Sequence, residues 1–239
     1  MSQPVRIKNG RLEKKIKYKN MIKIFLKLKF LIKKIFVNSK SWQHWSSHGA
    51  GPYFLEHIEE IHSGNIPERY QRITKFVKGP TVIDIGCGEG LLPLALANKQ
   101  KVLGIDASEK RIDIAKKLQK DIFTKSKKNV FFKCKNATDL ILKDNHDCKV
   151  IVFNRSLYHF EEDIHKILNA IKTSKSINEL VLVGHNDKRN MSPTQHRLGE
   201  WIKYSQIKGM IEVFNFLNYK YDVVRDDIND PIVHGIKNL

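Results

Sequence analysis

Nine consecutive residues, Val82-Ile83-Asp84-Ile85-Gly86-Cys87-Gly88-Glu89-Gly90, limit what this chain can fold into more than any other stretch. A short apolar run enters a loop of three alternating glycines, and an apolar helical pattern (Leu91, Leu92, Leu94, Leu96) leaves it. Such a pattern reads as a buried strand, a tight turn and the start of a helix. Glycines supply φ > 0 and leave bare backbone for a ligand to lie against. The helix start is expected to offer unpaired N–H groups and the positive end of a dipole to a polar or anionic ligand.

The spacing is Gly-x-Gly-x-Gly, with Leu91 where a dinucleotide fingerprint of the form G-x-G-x-x-G would carry its third glycine. Asp106 lies twenty residues beyond Gly86, at the end of a second apolar run, Val102-Leu103-Gly104-Ile105-Asp106. An acid there is placed to accept from ribose hydroxyls. The combination resembles the class I S-adenosylmethionine-dependent methyltransferases, whose first motif reads hydrophobic-Asp-hydrophobic-Gly-Cys-Gly-x-Gly.

From Thr81 strand and helix patterns alternate. Strands are expected at 81–86, 101–106, 130–134, 149–153 and 180–183. Between them lie helices near 90–98, from Ser108 with Ile112, Ala115, Leu118 and Ile122 inward, and from Phe160 through Ile164, Ile167, Leu168 and Ile171. The last of these has an acidic first turn (Glu161, Glu162, Asp163), as the dipole prefers. Alternation of this kind gives a doubly wound, mostly parallel α/β sheet with helices on both faces. Two further strands, 219–225 and 232–236, are joined by too few residues for a crossover helix and must pair antiparallel. The resemblance implies a seven-stranded sheet of this kind, with the last strand inserted beside the fifth.

The chain therefore divides into a basic amphipathic extension (1–40), a helical cap and lead-in (41–80) and a Rossmann-like methyltransferase domain (81–239). The lead-in carries a helix opened by Pro67 with Tyr70, Ile73, Phe76 and Val77 as its apolar stripe. Its Arg69 and Arg72 read as solvated surface, with a cofactor carboxylate as the alternative partner. Ser41 to His62 holds Trp42, His44, Trp45, His48, His57 and His62. No acidic or cysteine ligand cluster accompanies the histidine spacing, so no metal site is assigned.

Ligands of open α/β sheets lie across the carboxyl ends of the strands. Strand one brings Asp84, Gly86, Cys87, Gly88 and Gly90, where the resembled family holds the methionine part of S-adenosyl-L-methionine. Strand two brings Asp106 for the ribose, with Ala107 and Ser108 beside the adenine. Strand three brings Thr138 and Asp139; the family's acid at this point often accepts from the adenine amino group, and a helix N-cap is the other role open to Asp139. Strand four ends in Asn154-Arg155-Ser156-Leu157-Tyr158-His159-Phe160, facing the transferred methyl group in the family. Amino methyltransferases of nucleic acids carry an Asn/Asp/Ser-Pro-Pro-aromatic signature here. The absent prolines and the absent adjacent aromatic count against methylation of a flipped base. A hydroxyl acceptor needs a base, and His159 after strand four and His185 after strand five are the candidates. Packing or surface roles remain open to both, and an amine acceptor would need no base.

The net charge of +18 suggests nucleic acid until it is located. The first forty residues hold thirteen of the 43 Lys and Arg and one of the 25 acids, so they carry +12 of it. Between residues 14 and 37 lysines alternate with Ile24, Phe25, Leu28, Leu31, Ile32, Ile35 and Phe36, a basic amphipathic helix. Lysines interrupt every apolar run, which excludes a comfortable membrane span and a secretory h-region. Such a helix fits an interfacial anchor on anionic lipid; packing on its own domain or on a partner is the alternative. The three cysteines, Cys87, Cys134 and Cys148, form no metal spacing and read as small buried hydrophobes in a reducing compartment.

The sequence thus predicts a cytoplasmic S-adenosylmethionine-dependent methyltransferase, peripheral to the inner face of a membrane. Its O-methylated acceptor would be a small molecule, a glycan or a lipid-linked compound. Two alternatives stand beside it: an RNA- or DNA-directed enzyme using residues 14–37 as a basic arm, and a non-catalytic nucleotide-binding or scaffold protein of the same fold. Oligomeric state is left open.

Overall fold

Runs of β-branched and apolar residues become strands at the expected intervals in the computed structural model, which describes residues 57, 60, 61, 63, 65–121, 128–138, 148–185, 204–225 and 230–238. The basic helix of residues 14–37, the Trp/His segment ahead of His57 and the candidate Asp139 lie outside the described residues. The chain divides into two compact units, Met1–Ser63 and Gly64–Leu239. The architecture that follows is that of the second unit.

Its elements in order are α1 (Glu68–Phe76), β1 (Thr81–Ile85), α2 (Leu91–Leu96), β2 (Lys101–Asp106), α3 (Glu109–Asp121), β3 (Val130–Cys134), β4 (Val150–Asn154), a 3-10 segment (Leu157–Asp163), α4 (Ile164–Thr173), β5 (Glu179–Val183), α5 (Ile207–Leu217), β6 (Tyr219–Val224) and β7 (Ile232–Lys237). They form one seven-stranded sheet in the order β3-β2-β1-β4-β5-β7-β6. Strands β1 to β5 pair parallel, and β7 runs antiparallel between β5 and β6. The chain order reverses between β1 and β4, so the switch point falls beside the glycine loop.

Side chains of alternate parity on the central strands go to opposite faces. Ile83, Ile85, Ile151, Phe153, Leu180 and Leu182 pack with Ile164, Ile167 and Leu168 of α4 and with Met210, Val213 and Phe214 of α5. Asp84 and Val152 belong to the other face, as does Val181. There α1 meets α2 and β5, and α3 covers β2 and β3. Burial on both faces accounts for the nearly unbroken apolar run of β4, Val150-Ile151-Val152-Phe153. Glu179 ties the start of β5 to the lead-in: it accepts from the amides of Lys78 at 3.0 Å and Gly79 at 3.1 Å, and its carboxylate meets His234 Nε2 of β7 at 3.2 Å.

Three expectations change. The helix expected from Phe160 begins at Ile164, because Phe160 has a non-helical backbone (φ −108°, ψ 27°) that breaks the preceding 3-10 segment. Arg69 and Arg72 are not solvated surface: both are half-buried, and Arg72 Nη1 donates to the carbonyl of Asp230 at 3.1 Å. Of the cysteines, Cys148 is buried, with burial pushing its thiol up to about 11. Cys134 is exposed, because β3 is an outer strand with one face open to solvent.

Candidate active site

The loop after β1 is held from inside the protein. Ile105 of β2 accepts from two of its amides, Gly86 N at 2.8 Å and Cys87 N at 2.9 Å, while Gly90 N donates to Cys87 O at 3.0 Å. Asp106 takes the fourth: its Oδ2 accepts from Gly88 N at 2.9 Å, and its Oδ1 accepts from Ser108 N at 2.9 Å. These four amides are therefore spent on shaping the loop. What the glycines contribute is room and handedness. Gly86, Gly88 and Gly90 have φ of 72°, 55° and 78°, a left-handed backbone that side chains rarely adopt. A Cβ on Gly86 would stand 2.5 Å from Ser156 Cβ, and one on Gly90 would stand 2.4 Å from the Phe132 ring.

Asp84 is the most unusual group in the site. Its side chain is 1% exposed, and its Oδ1 has no hydrogen-bond partner among the described residues. Burial, reinforced by the charge of Asp106 and opposed by Arg69, pushes its carboxyl up to about 8. A buried carboxyl oxygen with nothing to accept from is costly, and it marks a place where a donor or a cation belongs. Arg69 arrives from α1, and its Nη2 donates to Asn154 Oδ1 at 3.2 Å across the end of β4. Arg69 Nε is likewise buried with no hydrogen-bond partner among the described residues. Asp84, Arg69, Asn154 and the Gly86–Gly88 turn thus gather near the carboxyl ends of β1 and β4, with Asp84 Oδ1 an acceptor and Arg69 Nε a donor that have no hydrogen-bond partner among the described residues. That donor set suits an amino acid headgroup, with the ammonium at Asp84 and the carboxylate at Arg69. Asp106 beside it retains acceptor capacity for a hydroxyl. Cys87 is present as a protonated thiol, because burial and then the Asp84 charge raise it well above its usual value. Thr138 is buried beyond β3 and Ala107 is exposed beyond β2.

The other half of the site follows β4 and β5. Arg155 takes a left-handed backbone (φ 57°) and forms an ion pair with Asp230. The turn lets Ser156 pass beneath Gly86, where its hydroxyl donates to the carbonyl of Ile85. Tyr158 then stands between the two candidate histidines: its ring centroid is 4.3 Å from His159 and 5.3 Å from His185, and its Oη lies 2.8 Å from His185 Nε2. Burial, then the cations Arg155 and Arg69, push His185 down to about 4, so its imidazole is neutral at physiological pH. His159 is solvent-exposed; crowding by the protein and the Arg111 guanidinium lower it as well. Burial raises the Tyr158 phenol, so it remains a hydroxyl. Sequence alone pointed to the two histidines and passed over Tyr158. Its place one residue before His159 in an aromatic run was the available signal.

The glycine loop with its acid on the next strand, the switch point beside it and the antiparallel hairpin at the sheet's end together make the Rossmann-like fold of the class I, S-adenosylmethionine-dependent methyltransferases. Residues 82–174 match the family model described as a methyltransferase domain. Among curated proteins, the ubiquinone biosynthesis O-methyltransferase of Coxiella burnetii is 33% identical over 124 residues, which are 52% of this chain and 45% of that protein. The chain thus spans less than half the length of the curated relatives it matches. Among solved structures, a SAM-dependent methyltransferase from Aquifex aeolicus superposes with a TM-score of 0.54 at 19% identity, covering 76% of this chain and 98% of that one. Magnesium protoporphyrin IX methyltransferase from Synechocystis PCC 6803, solved with bound SAH, gives 0.56 at 16% identity over 87% and 99%. At those identities the likeness is one of fold.

Proposed function

We propose that this chain methylates an oxygen of a small or lipid-linked acceptor, with His185 holding the acceptor's proton. When bound, S-adenosylmethionine supplies an electrophilic methyl group on a sulfonium sulfur. The residues that would hold it are Asp84 and Arg69 at its amino acid end, the Gly86–Gly88 turn along its length, and Asp106 at its ribose, with Thr138 and Asp139 toward the adenine. Everything else is positioning, since a displacement in line needs the acceptor aligned and, for a hydroxyl, relieved of its proton.

The single observation that supports oxygen as the acceptor atom is the Tyr158–His185 pair at the end of β5. Burial and the nearby cations keep the imidazole neutral, so it has a lone pair free to accept a proton, and the 2.8 Å contact fixes its orientation. In the tautomer whose Nε2–H donates to Tyr158 Oη, Nδ1 is left to take the proton of an acceptor hydroxyl. The Coxiella relatives, named as O-methyltransferases of ubiquinone biosynthesis, support the same choice and suggest a phenolic acceptor carrying an apolar tail. An acceptor of that kind resides in membranes, which gives the basic pattern of residues 14–37 a purpose as an anchor on anionic lipid at a cytoplasmic face.

The test is turnover by the full chain with catechols of increasing alkyl chain length, compared with the corresponding anilines. Phenols should be methylated and anilines should not. His185→Asn should lower kcat by ~10²-fold or more, the usual worth of a positioned base. Preference for amines, or a His185→Asn variant with wild-type kcat, would refute the oxygen-directed mechanism. Flotation of the full chain with anionic but not neutral vesicles tests the anchor, and equal flotation with both would remove it.

A further inference from the structure

We propose that the outer edge of β6 is a self-association surface, pairing antiparallel with β6 of a second copy of this chain in a two-fold register centred on Tyr221.

Strand β6 ends the sheet, bonded to β7 on one side and to no strand among the described residues on the other. Which of its amides face outward follows from register. Between β5 and β7 the bonded pairs include Gly184 N to Pro231 O at 2.9 Å and Lys237 N to Asn178 O at 2.9 Å. The odd-numbered residues of β7 therefore bond toward β5 and its even-numbered ones toward β6. Those even residues pair with Lys220, Asp222 and Val224, which leaves the amides and carbonyls of Tyr219, Tyr221 and Val223 pointing off the sheet. A partner strand must match those three.

The side chains select one match. With Tyr221 opposite the partner's Tyr221, the outward-facing residues pair only with outward-facing residues, each pair exchanging both amide hydrogens: Tyr219 with Val223, Tyr221 with itself, Val223 with Tyr219. In the same register Lys220 stands opposite the partner's Asp222, and Asp222 opposite the partner's Lys220. Shifting the centre to residue 220 or 222 sets lysine on lysine or aspartate on aspartate, which is destabilising. Centring between residues sets outward-facing amides against inward-facing ones. Of the registers that pair five or more residues of β6, only the one centred on Tyr221 satisfies backbone and charge together.

Edge strands are commonly guarded by charges that repel a second copy. Here the guards have opposite sign and self-complementary spacing, so they attract one. Tyr221 and Val223, 37% and 40% exposed, are the apolar groups on the other face that the pairing would cover. The described part of the site lies on β1, β2, β4 and β5, with β7 between it and β6, so the pairing changes none of the groups assigned to transfer. It stands or falls apart from the enzymatic assignment.

Sedimentation equilibrium of the full chain from ~1 to ~100 μM should show a reversible monomer–dimer equilibrium. Lys220→Asp sets carboxylate against carboxylate at both ends of the contact and should weaken the dimer at least ~10-fold. Adding Asp222→Lys to the same chain should restore it. Both positions are exposed, so neither change threatens the fold. As an independent probe, Cα atoms of a bonded pair lie about 5.5 Å apart, within disulfide range. Tyr221→Cys should then give an oxidised covalent dimer well above the wild-type background from Cys134, and Asp222→Cys should not. A monomer throughout the range, a dimer indifferent to Lys220→Asp, or a charge swap that fails to rescue would each overturn the proposal.

Discussion

Replacing Asp84 with Asn should make the ligand-free protein more stable and the enzyme worse. The carboxyl is 1% exposed, and its folded-state value near 8 compares with 3.8 for the free side chain. Between those two values the folded state holds a proton that the unfolded state has released, so stability falls as pH rises across this window and levels off above about 8. At pH 7 the group costs the fold about 4 kcal/mol, since each unit of difference is worth ~1.4 kcal/mol. Asn has the same shape and no charge to desolvate, so most of that cost should disappear. For a chain of this size, that corresponds to a rise in Tm on the order of 10 °C. The gain should shrink to ~1–2 kcal/mol at pH 5, where wild-type Asp84 retains its proton and the unfolded chain is only beginning to. Thermal scans of the wild type and Asp84→Asn at pH 5, 6, 7 and 8 measure the difference directly, and calorimetry with S-adenosylmethionine should show affinity lost by ~10-fold or more. A variant less stable than wild type at pH 7, or a stability difference that does not grow with pH, would refute the view that Asp84 is a buried acid waiting for a cationic partner.

Gly90→Ala should be destabilising by at least ~1–3 kcal/mol, because the new methyl would stand 2.4 Å from the Phe132 ring on a backbone at φ 78°; urea unfolding measures it, and an unchanged midpoint would contradict the geometry. Asp106→Ala removes the acceptor for both Gly88 N and Ser108 N. It should therefore weaken S-adenosylmethionine binding by more than the ~10-fold of one lost charge-assisted contact, and faster amide exchange at Gly88 should accompany the loss.

How far the chain's letters carried depended on which physical signal each element needed. Strand β2 falls where the apolar run placed it, because a buried strand is bounded by the polar residues at which its burial ends. The fourth helix did not. Phe160 continues the spacing of Ile164, Ile167 and Leu168, and it does reach the core, with its ring 5.9 Å from Phe153. A 3-10 turn followed by an α-helix keeps an apolar stripe nearly in phase, so periodicity registers the buried face and misses the change of backbone. Arg69 shows the opposite failure. Two arginines three apart on a helix have the pattern of a wet face, and only the packing of α1 on this side of the sheet turns that face inward, toward Asn154.

The acceptor side was legible only as a location. His185 was conspicuous because it follows a strand, but its ionisation state is set by burial and by Arg155 and Arg69, which arrive from two other stretches of chain, while Tyr158 fixes its ring. The glycine loop is the instructive middle case. Its three glycines announce φ > 0 and a close approach, both of which the structure has. The letters could not tell that Ile105, Asp106 and the loop's own Cys87 carbonyl had already claimed the amides. A loop with free amides would be a generic anion cradle. With those amides spent on β2 and on the loop itself, the buried side chains are left to select, and an acid near an arginine, each with one buried atom unpartnered among the described residues, would favour a zwitterionic headgroup over a phosphate. That is why the Asp84 variant discriminates between ligands, where a glycine substitution would only break the turn.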